Sequence, residues 1–303
     1  GTVKNLLVLD CDIHDVGMVF DAFFNFLVFW VNIGFPDTEL NDLIAIVDTD
    51  AKRGDYGQLG MIASRRLIFL GNDWEKPASH TLRLMHVEKG VVRHSRLAHA
   101  SQSDASTVEL KLHAADWAGS LVNSKSYSEE IVISDNIFES HSSQWQAVLG
   151  PQSSNRSDER LRNIILERNQ FRAGATSRIL AVISAVDTTL RNNIFDLSYS
   201  PDCTGVSVRP RSIEPPPDRC VVANNNFYRS DAPAFKAIEI APASLNAVVK
   251  NNLCSAPNTT GAVTLDDKGV GTDAAHNELA DLPGWASANP TRPEHYRLQP
   301  NSP

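Results

Sequence analysis

The stretch IVISDNIF, residues 131–138, ends in a phrase that recurs: apolar residues, a polar pair, an Asn, then an apolar residue. Close variants are ILERNQF (165–171), TLRNNIF (189–195), VVANNNF (221–227) and VVKNNLC (248–254). Spacings in the twenties and above between such phrases predict a solenoid. The full set of anchor residues is Asp12, Asn32, Asn72, Ser95, Asn136, Asn169, Asn193, Asn225, Asn252 and Asn277.

The residues around the anchors predict strands. They are β-branched and alternate over short runs, whereas a helical repeat would show apolar stripes with a period of 3.6 residues. Short strands stacked from one repeat to the next form parallel sheets along the molecule, and neighbouring repeats bury their inner faces together.

The repeated Asn is best explained as a structural corner. Asn tolerates left-handed backbone geometry, and its amide can bond backbone groups and the equivalent Asn one repeat away. The apolar residue two places later then re-enters the core. Four of these residues are phenylalanines, which we expect to stack: Phe138, Phe171, Phe195 and Phe227.

These features resemble the right-handed parallel β-helix superfamily, which includes pectate, alginate and chondroitin lyases, polygalacturonases and phage tailspikes. The ending EHYRLQPNSP also resembles the closing segment of bacterial members. The resemblance implies an all-β fold, a single-stranded right-handed parallel β-helix of about ten coils with loop insertions. It implies one domain over residues 1–303 in a secreted or periplasmic protein. Because the opening GTVKNLLVLD already has the pattern of a strand and no signal peptide is visible, we expect the native N-terminal segment to be missing.

Composition narrows the function. A net charge of −8 gives no global electrostatic case for nucleic acid or an anionic membrane. The apolar stretch 18–35 contains Asp21, Asn25 and Asn32 and lacks basic flanks, so we do not expect it to span a membrane. Cys203 and Cys220 flank a Pro-rich excursion, where they could form a disulfide or remain isolated buried thiols.

A second set of strands follows the Asn corners, and alternation assigns its two faces. The inward residues are Leu82, Leu84, Leu110, Leu112, Val206, Val208, Ile238, Ile240, Val263 and Leu265. The outward residues are Arg83, Lys111, His113, Ser207, Arg209, Glu239, Thr264 and Asp266. The outward face is therefore expected to be basic toward its N-terminal side and acidic toward Glu239 and Asp266, and in the superfamily this sheet usually forms the saccharide groove.

Such a face could cleave a uronate polymer by β-elimination, which requires a neutralised carboxylate, a base for the C5 proton and a stabilised leaving oxygen. Lys111 beside Arg83 is the expected base, and His113 is a second candidate. Arg83 and Arg209 are expected to hold substrate carboxylates, and Gln152 could donate to one without charge. Glu239, and Arg160 in the polar loop 151–163, are the further substrate-binding candidates. β-Helix lyases resemble this scheme in using a Lys and an Arg, often with calcium.

Two other stretches compete. CDIHDVG (11–17) resembles the DPHD phrase of mannuronan epimerases with Ile for Pro, but Asp12 fills a corner position. VDTDAKRGD (47–55) resembles the NTD phrase of polygalacturonases, yet the GHG and RIK phrases of those hydrolases are absent from the sequence. Asp48, Asp50 and Asp55 could instead hold Ca²⁺.

The sequence therefore predicts a polysaccharide lyase acting on an acidic polymer such as alginate. The alternatives are a C5-epimerase, a glycoside hydrolase using Glu239 and Asp266, and a non-catalytic carbohydrate-binding or tailspike-like adhesin. A trimeric tailspike needs an exposed apolar stripe along one side. The one local candidate for that stripe, FFNFLVFW (23–30), does not recur in later repeats.

Overall fold

The computed structural model describes residues 5–14, 41–54, 59–100, 107–113, 127–141, 145–150, 160–198, 200, 203–211, 215–229, 235–256 and 263–280. Within these ranges the chain forms strands and no helix. The strands are β1 (Asn5–Leu9), β2 (Asp12–His14), β3 (Asn41–Val47), β4 (Asp50–Gly54), β5 (Gly60–Leu70), β6 (Asp73–Pro77), β7 (Leu82–Arg93), β8 (Arg96–Ala98), β9 (Leu110–His113), β10 (Tyr127–Ser134), β11 (Ile137–Glu139), β12 (Trp145–Leu149), β13 (Arg160–Glu167), β14 (Gln170–Arg172), β15 (Ile179–Ile183), β16 (Thr189–Arg191), β17 (Ile194–Asp196), β18 (Thr204–Val208), β19 (Val221–Ala223), β20 (Asn226–Tyr228), β21 (Lys236–Ile240), β22 (Val248–Lys250), β23 (Leu253–Ser255), β24 (Val263–Asp267), β25 (Asp273–Ala275) and β26 (Glu278–Ala280).

These strands form two parallel sheets, one of 16 strands and one of ten. The larger sheet divides because residues 82–85 of β7 pair with β9, whereas residues 90–93 pair with β10. We call β9, β12, β15, β18, β21 and β24, with the N-terminal ends of β5 and β7, the first row. The second row is β1, β3, the C-terminal ends of β5 and β7, and β10, β13, β16, β19, β22 and β25; the ten-stranded sheet is the third row. From β9 onward the chain visits the rows in turn, which gives the solenoid-like parallel structure that the repeat predicts.

One contiguous apolar core lies between the rows. Ile131 and Ile133 of β10 point into it, so Val132 between them points outward. The predicted inward residues of the first row are buried through Ile240, but Val263 is 38% exposed and Leu265 is only partly buried. The prediction is wrong for Val263 because β24 ends the row and has a neighbour, β21, on one side only.

The corner between the second and third rows contains the predicted amide ladder. The side-chain oxygen of Asn193 accepts a hydrogen bond from the backbone N–H of Asn169 at 2.9 Å, and its Nδ2 donates to the carbonyl of Leu166 at 2.9 Å. The same two bonds recur along the ladder, at Asn136, Asn169, Asn225, Asn252 and Asn277. Each amide thereby satisfies backbone groups that the corner would otherwise bury unpaired.

Two details of the predicted corner are wrong. The residue with left-handed geometry is the one before each Asn, as at Asn192 (φ 56°), and not the ladder Asn itself. The first anchor also shifts, because Asp12 pairs with Asp50 inside the third row, so Cys11 fills the first corner. Thr49, which is not among the predicted anchors, fills another corner. Asn32 lies outside the described residues.

The four phenylalanines stack as predicted. Their ring centroids follow one another at 4.8, 4.7 and 4.8 Å, with planes 6° to 17° apart.

Of the two interpretations of Cys203 and Cys220, the disulfide is wrong: both thiols are free and buried, and burial raises the pKa of each to about 12. The two lie in different rows, and Cys220 Sγ instead donates to the carbonyl of Ala185 at 3.3 Å.

The described ranges hold no helix long and apolar enough to cross a membrane. The stretch 18–35, which carries FFNFLVFW, lies outside these ranges.

Candidate functional site

Arg83 and Lys111 lie side by side on the outer side of the first row. They are register partners on the adjacent strands β7 and β9, so their Cα atoms lie about 4.8 Å apart. Alternation places them outward because Leu82, Leu84, Leu110 and Leu112 point into the core. The predicted pairing of these two cations is therefore present. The two side chains are less exposed than expected. Arg83 is 6% exposed, while Lys111 is half-buried and reaches the surface.

His113 lies against the same pair. Its Nε2 accepts a hydrogen bond from Arg83 Nε at 2.9 Å, and the imidazole is fully buried. A ring nitrogen that accepts a hydrogen bond carries no proton, so this contact fixes His113 as the Nδ1–H tautomer. The lone pair that a general base would use is engaged with Arg83. His113 is thus better suited to hold Arg83 in place than to take a proton.

His80 joins the cluster and was missed as a candidate in the sequence. It precedes β7, and its Nδ1 accepts from the backbone N–H of Val108 at 3.0 Å. Burial holds the pKa of His80 well below its usual range, and the charges of Lys111 and Arg83 lower it further. The sequence signal was its place three residues before Arg83 in HTLRLMH, but a lone buried histidine is common in cores.

Arg211 extends the cluster from beyond the end of β18, three strands away from β9. A line along the outer side of the first row runs from His113 through Gly150 and Ser184 to Arg209. A Cβ on Gly150 would lie 3.0 Å from Cδ of Arg211, so the arginine side chain crosses the space that this glycine leaves. The backbone N–H of Arg211 donates to Ser184 Oγ at 3.2 Å, which fixes its position. We call His80, Arg83, Lys111, His113 and Arg211 the basic cluster.

An apolar patch lies next to the basic cluster on the same outer side. Val148 and Val182 follow Lys111 in register, and they form a small cluster separate from the core with Val108, Ile179 and Trp145. The four aliphatic residues are buried and Trp145 is half-buried. Trp74, by contrast, belongs to the core, edge-on to Phe69 at 4.8 Å.

Beyond this patch the first row ends in ion pairs. Glu239 Oε2 accepts from Ser207 Oγ and from Arg209 Nη2, each at 2.6 Å, and Asp266 accepts from Lys236 and, at 3.1 Å, from Lys268. The expected acidic end is therefore wrong, because each carboxylate is matched by cations. We call these residues the ion-pair group: Ser207, Arg209, Lys236, Glu239, Asp266 and Lys268.

The ion-pair group does not resemble a hydrolase pair. Burial would raise the pKa of Glu239, but hydrogen bonds from Ser207 and Arg209 lower it on balance. The hydrogen bonds from Lys236 and Lys268 lower the pKa of Asp266. A glycoside hydrolase needs one carboxyl group with a raised pKa as its proton donor, so these contacts do not favour hydrolysis.

The remaining candidates lie elsewhere. Arg160 opens β13 in the second row and not in the first row, and Gln152 and Asp55 are outside the described residues. Asp48 lies at the corner with φ 48°, and its Oδ1 would be 2.1 Å from a Cβ placed on Gly71. Asp50 begins β4 in the third row. In the part of the chain that the structure describes, no three His, Cys, Asp or Glu residues could hold a metal ion. Calcium binding stays a prediction.

The third row carries a separate charged network. Arg96 donates to Asp73 and Glu75 at 2.9 Å and to Glu139 at 3.2 Å. A hydrogen bond with His99 lowers the pKa of Glu139 to about 2, an effect that burial opposes and that Arg96 strengthens. His14 also lies in this sheet, 3.9 Å from Asp12 and exposed. Neither group adjoins the basic cluster in strand register.

Comparison with known proteins adds no name to this site: no family model, no curated protein and no solved structure matches the chain.

Proposed function

We propose that this chain is a right-handed parallel β-helix of about ten coils that cleaves an acidic, uronate-containing polysaccharide by β-elimination. The observation that carries the proposal is the pairing of Arg83 with Lys111 on adjacent strands, with His80 buried against both. A protein with a net charge of −8 here concentrates cations, which favours an anionic partner.

Lys111 is the proposed base. It is the half-buried member of a cluster in which Arg83 and His113 are buried, so its amine reaches a bound polymer. The low pKa of His80 reports that burial and the neighbouring cations disfavour a further positive charge here. Arg83 on the adjacent strand places a like charge beside Lys111. In general a neighbouring like charge favours the neutral form of an amine, which is the form that accepts a proton.

The reaction balances within this arrangement. The Lys111 amine takes the C5 proton of a uronate unit, the C5–H electron pair forms the C4=C5 double bond, and the C4–O bond breaks. The lysine ammonium then returns its proton to the departing oxygen, so no co-reactant is consumed. Arg211 and Arg83 stabilise the negative charge that develops on the carboxylate. His113 orients Arg83 through the 2.9 Å hydrogen bond.

The test is absorbance at the unsaturated-uronate band with a polymer panel: alginate, polygalacturonate, chondroitin, hyaluronan, heparan sulfate and a bacterial glucuronan. Each polymer is assayed with Ca²⁺ and with a chelator, which also tests the calcium prediction. A rise with one polymer supports the proposal. No rise with any of them, while the protein retards one on a gel, would favour a binding protein. New reducing ends without the band would identify a hydrolase.

A further inference from the structure

The outer side of the second row carries an apolar stripe that no single stretch of sequence reveals. One outward position per strand lines up through the register pairings from β1 to β22. We call these residues the outer stripe: Leu7, Ala45, Ile68, Val91, Val132, Ile165, Thr189, Val221 and Val248. A stripe of this kind needs an apolar residue in every repeat, whereas the segment FFNFLVFW does not recur in later repeats.

The stripe widens at its N-terminal end. Leu9, Val47 and Leu70 lie beside it in register, so three neighbouring strands present apolar side chains two residues apart. Leu7 is 62% exposed, Leu9 53% and Ile68 37%. Contiguous exposed apolar surface on a soluble chain usually marks an interaction site.

Ion pairs border the stripe on both sides. Toward the third row, Asp135 accepts from Arg93 at 2.9 Å and from Arg168 at 2.8 Å. Toward the first row, Lys89 contacts Glu130 at 2.7 Å and Arg219 contacts Asp187 at 2.6 Å. An apolar centre with a charged rim is the composition of a protein–protein interface.

We propose that the outer stripe is the interface of a two-fold homodimer, in which two copies pack their second rows together with the same ends adjacent. The stripe, together with the neighbouring residues on either side of it along each strand, measures roughly 38 Å by 18 Å, or about 700 Å² per copy. This area is close to the approximately 800 Å² that each partner buries in a standard interface. Its ridges recur every 4.8 Å or so, and a second copy of this chain presents the same spacing.

The orientation follows from the widening. An axis parallel to the stack of strands places the broad N-terminal patch of one copy on the broad patch of the other. The antiparallel alternative would place Leu7 and Leu9 opposite Val248, Lys250 and Asp273, and would bury the charges of an ion pair against leucines. This inference is independent of the lyase proposal, because it uses none of the basic cluster.

The experiment is sedimentation equilibrium of the full chain between about 1 and 50 μM, spanning micromolar dissociation constants. We expect twice the chain mass of 33.2 kDa for the wild type and a single mass for Val132→Lys/Ile165→Lys. The matched control is Ile194→Lys/Asn226→Lys, which places two lysines on register partners of the third row and should leave the dimer intact. A monomeric or trimeric wild type, or equal dissociation in the control, would overturn the proposal.

A covalent test fixes the orientation without depending on the lysine variants. Leu7→Cys in a Cys11→Ser background should form a disulfide-linked dimer under mild oxidation, because the two Leu7 positions meet across a parallel axis. Crosslinking of Leu7→Cys to Val248→Cys alone, with none between two Leu7→Cys copies, would overturn the parallel arrangement. Near-ultraviolet circular dichroism checks that each variant is folded.

Discussion

The outer sides of the first and second rows belong to one sheet but distribute their residues in opposite ways. The first row buries a charged group and its polar partner, with Arg83 at 6% exposed and the neutral imidazole of His113 at 0%. The second row exposes apolar ones, with Leu7 at 62% and Ile68 at 37%. Structural stability alone favours the reverse on both sides, since charges are costly to bury and apolar groups costly to expose. In the two proposals made above, the first surface binds an anionic ligand and the second binds a copy of this chain.

The largest expected effect is on stability when a buried cation is removed. Arg83→Met leaves the buried Nε2 of His113 without its donor, which should lower the free energy of unfolding by about 2 kcal/mol. Arg66 of the second row, exposed and 3.0 Å from Asp42, is the matched position, and Arg66→Met should cost less than about 1 kcal/mol. Urea unfolding measures both. Equal losses would remove the distinction between the rows.

The pH dependence of stability provides a second test. The pKa of His80 is lower in the folded than in the unfolded chain, so its contribution is present above the ordinary histidine pKa. That contribution is lost as pH falls, because the unfolded chain binds the proton first. His80→Asn, whose side-chain oxygen can accept from Val108, should flatten the decline in unfolding free energy between about pH 7 and 5 by up to roughly 1.4 kcal/mol per pH unit. An unchanged slope would contradict a histidine held neutral by burial and cations.

The smallest expected effect concerns the ion-pair group. Ser207→Ala removes the hydroxyl that donates to Glu239 and accepts from Arg209 at 2.7 Å, and should cost about 1 kcal/mol. Thr189→Ala in the outer stripe should change stability by less than about 0.5 kcal/mol in a monomeric background. Thermal melts of the two variants, each made in Val132→Lys/Ile165→Lys, separate the effects. A larger loss at Thr189 than at Ser207 would reverse the comparison.

The sequence predicted the features that recur in each repeat, and it did not reveal those that depend on contacts between distant strands. Asn193 and Phe195 recur in one phrase, so their ladder and stack follow from local pattern and the polar satisfaction that a corner needs. Alternation also placed Arg83 and Lys111 together, because a one-residue slip would have buried the lysine in the core.

Register between distant strands could not be read in the same way. Ile68, Val132 and Val221 are far apart in the sequence, and each is an ordinary outward-facing strand residue until pairing aligns them. Burial of Arg83 and the reach of Arg211 across Gly150 likewise depend on contacts between strands, where sequence pattern carries little information. The first anchor, Asp12, is wrong by one residue because Cys11 fills that corner in place of an Asn, and the corner at Thr49 was missed for the same reason.

The most direct test of the account is the initial rate of double-bond formation by Lys111→Met, on the polymer that gives the strongest unsaturated-uronate band with the wild type. Lys236→Met is the matched control, since this lysine lies on the same row but is already paired with Asp266. Removing a general base should lower the rate by roughly 10²–10⁴-fold, whereas the control should stay within a few-fold of the wild type. A Lys111→Met enzyme as fast as the wild type, or a wild type that forms no double bond on any polymer, would contradict the account.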